Sequence, residues 1–416
     1  MKEKSSGSLA KGQKHRDRIL RLAGGALPAL LIFSGCQAAP DRALPEPFSQ
    51  SQPASASAAK PAPAPIAVTV AGETLSLLPD EEAVRTVTLP QALPALGDET
   101  VQVQVLFEDT QVFSGSANEL AGFIPEKNGL YRYVFDTEAG DCSLHIQTDF
   151  APQLVWREGQ IALGEVLPLS VRYTDAEAVT AETGLSFQPV FFRSDNGWHA
   201  LLPIHWNTEP GDYPLLIQAG SAQFRLTVSV ADRAFEIQNL TVDETTTSQT
   251  VENNDANDEW NRLIEPLKAI SDDEQYWSGE FIQPVDGEIT TQYGMIRYVN
   301  GSAASTRHSG VDLAADRGTP VQAAGNGRVL FAGYLQLTGN TVLIEHGYGL
   351  KSWYYHMDSL NVSQDEMVKQ GQIIGEVGST GFSTGPHLHF AMSVNRVFVN
   401  PWTAVKEGVG WEGEDR

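Results

Sequence analysis

The chain has 416 residues, 41% of them hydrophobic, enough to bury several cores. It carries 28 Lys and Arg against 52 Asp and Glu, a net charge of -24. That balance argues against nucleic acid as a partner, because phosphates call for a basic face. It suits a soluble body outside the cell instead.

Basic residues crowd the start, from Lys2 to Arg21, and the apolar run "LAGGALPALLIF" follows from Leu22 to Phe33. A basic region, a short apolar region and small residues describe a secretory signal over residues 1–36. The apolar run is too short, and too rich in glycine and proline, to span a bilayer comfortably. Its "FSGC" ending resembles a bacterial lipobox, which implies a lipid on Cys36 and a membrane anchor. An ordinary secretion signal or an uncleaved anchor is the alternative. The second cysteine, Cys142, alternates with Leu144 and Ile146 and reads as a small buried hydrophobe. With Cys36 lipidated, no internal disulfide forms.

Residues 37–66 are rich in Pro, Ala and Ser and read as an extended linker. From 67 to 231 short alternating runs are broken by turn residues, which predicts β-sandwiches. A faint repeat divides this region: Tyr131 precedes Leu144 by the same interval as Tyr213 precedes Leu226. The preferred reading is two Ig-like units, 67–150 and 151–231, with one larger β domain as the alternative. His145, His199 and His205 stand apart from other ligands and read as structural. Residues 232–277 read as a linker holding one amphipathic helix, in which Trp260, Leu263, Ile264, Leu267 and Ile270 share a face and Pro266 makes a kink. Strand-and-turn patterning returns over 278–404, and 405–416 is a tail. The fold class is therefore mostly β.

Five of the nine histidines fall between 308 and 389. The informative groups are "RHSGVDLAA", "SWYYHM" and "GPHLHF". In extended chain, residues two or four apart face the same way. His308 and Asp312 then share a face, and so do His387 and His389. Two histidines and a carboxylate are a zinc ligand set used for hydrolysis. Spacing alone does not say which of the histidines are the ligands.

The segments "HSGVD", "YYH" and "HLH", in that order, lie among "PVDGEITTQYG", "GTPVQAAGNGRV", "GNTVLIEHGYGLKSWYYHM" and "VKQGQIIGEVGSTGFSTGPHLHF". Over Pro284 to Thr403 the chain resembles the lysostaphin/LytM family of zinc endopeptidases, which cut peptidoglycan peptides. The resemblance implies a C-terminal antiparallel β-sheet peptidase domain and Zn2+ as cofactor. It implies His308, Asp312 and His389 as zinc ligands and His356 and His387 as catalytic histidines. Tyr354 matches a family tyrosine that orients substrate or merely packs. Arg297 matches a position that holds substrate or pairs with a carboxylate. His346 receives no ligand role. The implied partners are peptidoglycan, and a membrane through the lipid anchor; a protein partner of the β domains is unknown. The implied place is the cell envelope. The alternatives are a catalytically silent activator or scaffold of other wall hydrolases, and a zinc carboxypeptidase on stem peptides.

Overall fold

Alternating burial builds the first layers. In the strand Gly140–Asp149, Cys142, Leu144, Ile146 and Thr148 are buried and their neighbours are not. The computed structural model describes residues 65–410, apart from 71–72, 80–81, 89–94, 97–100, 139, 242–253 and 304–306. The signal segment 1–36 with Cys36, nearly all of the 37–66 linker, residues 242–253 and residues 411–416 lie outside the described residues.

The first sandwich sets a three-stranded sheet built on Ile66–Val70 against a five-stranded sheet ordered Glu82–Thr88, Gly140–Asp149, Gly129–Thr137, Gln102–Phe107 and Thr110–Ser116. Val68, Leu77, Val105, Tyr133 and Leu144 fill the space between them, together with Cys142, which is fully buried. The second sandwich pairs two four-stranded sheets. One runs Gln153–Trp156, Val166–Arg172, Gly197–Pro203, Phe192–Ser194; the other runs Val179–Thr183, Gly211–Ala219, Ala222–Ala231, Gln160–Ala162. In chain order this is A-B-E-D against C-F-G, the strand order of an immunoglobulin-type sandwich, with strand A split between the sheets.

The faint repeat has a physical cause. Each sandwich closes on the same hairpin, with Tyr133 opposite Leu144 in one and Leu215 opposite Leu226 in the other. Two residues earlier, each hairpin carries a tyrosine whose hydroxyl donates to the backbone four residues upstream: Tyr131 to Lys127 O at 3.1 Å and Tyr213 to Glu209 O at 2.8 Å. That hydrogen bond has the form of the tyrosine corner found in immunoglobulin-type folds.

The expected kinked helix is in fact two pieces. An α-helix, Asn254–Leu263, stops three residues before Pro266, which instead caps a short 3-10 turn, Leu267–Ala269. Proline has no N–H to donate and clashes with the carbonyl four residues back, so it sits where no donor is needed. Both pieces still bury one face: Trp260, Leu263, Ile264, Leu267 and Ile270 pack on Leu330, Leu343 and Trp353. The segment read as linker also supplies a strand, Ile237–Leu240, which pairs in parallel with Ile296–Val299.

The C-terminal region is an eight-stranded sheet. Its main path runs Glu288–Thr291, Val311–Ala314, His387–Val394, Leu350–Met357, Gly339–Gly347, Gly327–Leu335 and Met367–Val368; Val397–Val399 flanks the His387–Val394 strand. Its core is continuous with the second sandwich. Val166 and Leu201 of the sandwich join the cluster of Trp277, Phe281, Tyr293 and Leu388, and the Tyr348 ring stacks on Phe192 at 5.1 Å. Behind the sheet, Lys351 and Glu345 form a fully buried ion pair at 2.8 Å. Lys351 also donates to Ile270 O, and Glu345 accepts from the Asp272 amide, so the connector 270–272 is tied to the sheet.

Candidate metal centre

Strand register assembles the centre. Thr291, Asp312, His389 and Tyr355 lie opposite one another on four adjacent strands, so their side chains form one row on one face. His387 pairs with Ala314 two residues along and joins the same face. Leu388, between the two histidines, points into the core and is fully buried. His308 lies just ahead of the Asp312 strand, held by backbone bonds to Met295 O and from Gly294 N.

Three ligand atoms converge. His308 Nε2 is 2.9 Å from Asp312 Oδ1 and 2.9 Å from His389 Nδ1, and His389 Nδ1 is 2.8 Å from Asp312 Oδ1. All three residues are buried. His308 Nδ1 donates to Gln292 O at 2.9 Å, which leaves a lone pair on Nε2. With the His389 Nε2 proton directed at Ser309 Oγ, 3.3 Å away, Nδ1 also presents a lone pair. Two lone pairs and a carboxylate then meet with no proton among them, a donor set that a cation satisfies and that suits zinc. Burial works to raise the Asp312 pKa, but charge and hydrogen bonds from His308 and His389 outweigh it and hold the carboxyl well below its usual range. Burial pushes His389 down to about 4, so near neutral pH the ring is in its metal-binding form.

The other two histidines stand beside this triangle. His387 Nε2 is 3.9 Å from Asp312 Oδ1, and the His356 and His387 rings are 4.8 Å apart. Each donates from Nδ1 to a backbone carbonyl, His356 to Thr380 O and His387 to Gly385 O, both at 2.8 Å. Each Nε2 is thereby left as an acceptor when the ring is neutral. Burial, aided by the charges of His387 and His389, pushes His356 down to about 3.

His356 reaches this face through a bulge. Asn340 pairs with Met357 and Val342 with Tyr354, so three steps on one strand face two on the other. His356 takes φ 62, a left-handed conformation uncommon for a non-glycine residue. Thr380 fixes it, accepting from His356 Nδ1 and donating its hydroxyl to Met357 O. Gly339 and the loop at Gly381, both at positive φ, meet here so closely that a side chain on Gly339 would strike the Thr380 backbone and one on Gly381 the Gly339 backbone.

Tyr354 takes the packing option. Its side chain is fully buried on the far face; its hydroxyl accepts from the Ala324 amide and from Ser352 Oγ. Tyr355 faces the centre instead, stacked on His389 at 5.0 Å. Arg297 takes the carboxylate-pairing option: Nη2 donates to Asp312 Oδ2 at 2.8 Å. His346 is fully buried away from the centre, between Asn326 O and Ser352 Oγ. The sequence reading missed Tyr355, Thr380 and Gln238. Gln238, on the strand Ile237–Leu240, accepts from Arg297 Nε and donates to Thr291 Oγ1 at 3.0 Å each. No motif marks it, since it lies more than fifty residues upstream of the groups it touches.

These residues line an open cleft of about 480 Å³. Histidines and one carboxylate, gathered on an antiparallel sheet beside a cleft, form a set that could hold a metal ion, of the donor types used in hydrolytic zinc sites. Residues 306–401 match the family model described as peptidase family M23. Over that stretch the C-terminal region of this chain is similar to members of that family. It is 45% identical over 94 residues to the DD-carboxypeptidase/endopeptidase Mpg of Neisseria meningitidis, covering 23% of this chain and 22% of that protein. It is 46% identical over 96 residues to the peptidoglycan DD-endopeptidase ShyC of Vibrio cholerae, covering 23% and 22%. Against lysostaphin of Staphylococcus simulans it is 46% identical over 90 residues, covering 21% and 18%. The chain thus spans about a fifth of the length of these curated relatives.

Arg297 holds the Asp312 carboxylate, so with zinc bound there its loss should weaken the site without emptying it. Arg297→Ala is expected to raise the zinc Kd about 10- to 100-fold, and Gln238→Ala by less. Competition against a chromophoric chelator measures both. Unchanged affinity in Arg297→Ala would show that Asp312 is held without it.

Proposed function

We propose that the chain is a zinc-dependent endopeptidase that hydrolyses cross-links or stem peptides of bacterial peptidoglycan in cell-wall remodelling. The observation that carries this reading is the convergence of three proton-free donor atoms within 2.9 Å, beside two histidines whose Nε2 atoms are left as acceptors. The names of the relatives, Mpg, ShyC and lysostaphin, support the substrate class.

His308, Asp312 and His389 would hold the zinc. Bound there, zinc supplies Lewis-acid chemistry, acidifying a water and polarising a peptide carbonyl. His387 and His356 do the proton work from the cleft wall. A neutral imidazole with its Nδ1 proton tied to a carbonyl accepts a proton at Nε2 and returns it to a leaving amine. Arg297 keeps Asp312 in place, and Tyr355 covers the His389 ring and limits water there.

The wall lies outside the cytoplasm, so the reading places the protein in the cell envelope, tethered through lipid on Cys36. A silent scaffold has no need of the complete set of five residues. A carboxypeptidase activity on stem peptides shares the chemistry, and the name of Mpg joins both activities. Chelation should abolish solubilisation of purified peptidoglycan by the full chain, and added zinc should restore it. Solubilisation that survives full zinc removal counts against the proposal.

A further inference from the structure

We propose that Arg307 recognises a carboxylate, and that the peptides taken by the cleft carry a free carboxylate beside the bond that is cut. This deepens, and rests on, the reading of the cleft as a peptidase site. Arg307 immediately precedes His308 and lines the same cleft. Its guanidinium carbon lies 4.5 Å from the ring centres of both Trp206 and Phe235. Trp206 comes from the second sandwich and Phe235 from the segment after it, both outside the stretch that matches the family model. The two rings cover the guanidinium and restrict its rotation. Its N–H groups lie in the guanidinium plane, so hydrogen bonding is confined to the edges.

Those edges are unspent. Among the described residues Arg307 makes no hydrogen bond and no ion pair, and Nη1 is buried with no partner. Buried donors left without a partner are rare, because the lost hydration is not repaid. The other described arginines of the C-terminal region are paired: Arg297 with Asp312, Arg317 with Asp358, Arg328 with Asp272 and Arg396 with Glu265. The one carboxylate lining the cleft is Asp312, already engaged by Arg297, His308 and His389. With Nη1 buried, Nε and Nη2 form the open edge of the fork, which fits a carboxylate in bidentate fashion, and the cleft leaves that carboxylate for the substrate to bring.

The test uses the zinc-loaded full chain and two peptides that share one scissile bond. They differ only in a carboxylate or a carboxamide on the neighbouring residue. The wild type should prefer the carboxylate peptide about 10- to 100-fold in kcat/KM, the range expected for hydrogen bonds to a charged group. Arg307→Gln should cut that preference to within about threefold, and Arg307→Lys should keep part of it, since charge remains but the fork is lost. A preference that is the same in wild type and Arg307→Gln, or absent in wild type, overturns the proposal. If neither peptide is cut, calorimetric affinities replace the rates. Selective binding without cleavage then counts against the peptidase reading alone, and equal affinities overturn the role of Arg307. Should Arg307→Gln fail to fold, Arg307→Lys decides, because an undiminished preference there excludes the fork.

Discussion

Replacing His389 with alanine should strip the chain of zinc and end hydrolysis. The imidazole contributes Nδ1 to a triangle of donors only 2.8–2.9 Å apart. Without it one neutral nitrogen and one carboxylate remain, too few for a stable zinc site. Outer-shell partners alone are worth about 10- to 100-fold in metal affinity, so the loss of a direct donor should exceed 100-fold. The fold should survive, because the ring faces the cleft while Leu388 and Phe390 anchor the same strand in the core. Zinc per chain after dialysis against a mild chelator, with the urea midpoint as a folding control, makes the measurement. A His389→Ala variant that keeps one zinc per chain would contradict the assignment.

The second large effect separates metal binding from proton transfer. His387→Ala and His356→Asn should each retain zinc yet lower kcat by about 10²- to 10⁴-fold, the usual contribution of a general acid or base. Asparagine is the choice at 356 because that residue sits at φ 62, where asparagine is tolerated better than alanine. The two losses should not add, because the rings are 4.8 Å apart and serve one reaction. Steady-state rates on a soluble cross-linked peptide, beside zinc content, check this. Rates within a few-fold of wild type in both variants would contradict the proton-transfer role of His356 and His387.

Much of this centre was legible in the sequence because strands have a period of two. That period places His387 and His389 on one face and Leu388 on the other, as found. It could not reveal the bulge opposite Thr341, which one extra residue creates and which turns His356 to the cleft face beside Tyr355, while Tyr354 stays in the core. Register slips of this kind depend on cross-strand partners, not on local spacing. The tyrosine corners gave the two sandwiches a readable repeat, since the same hairpin makes the same demand twice. Gln238, Trp206 and Phe235 left no trace because their partners are remote in sequence, and only the shared core of sandwich and sheet brings them together. Pro266 was visible, but whether it bends a helix or ends one is decided by which backbone N–H groups have partners.

The central claim is that His308, Asp312 and His389 hold a zinc ion with which His356 and His387 cut wall peptides. Mass spectrometry of one defined, peptide-cross-linked peptidoglycan dimer, digested by the zinc-loaded full chain, tests it most directly. The account predicts two peptide-bearing monomers whose masses sum to that of the dimer plus one water. An intact dimer, with one zinc bound per chain, would contradict it.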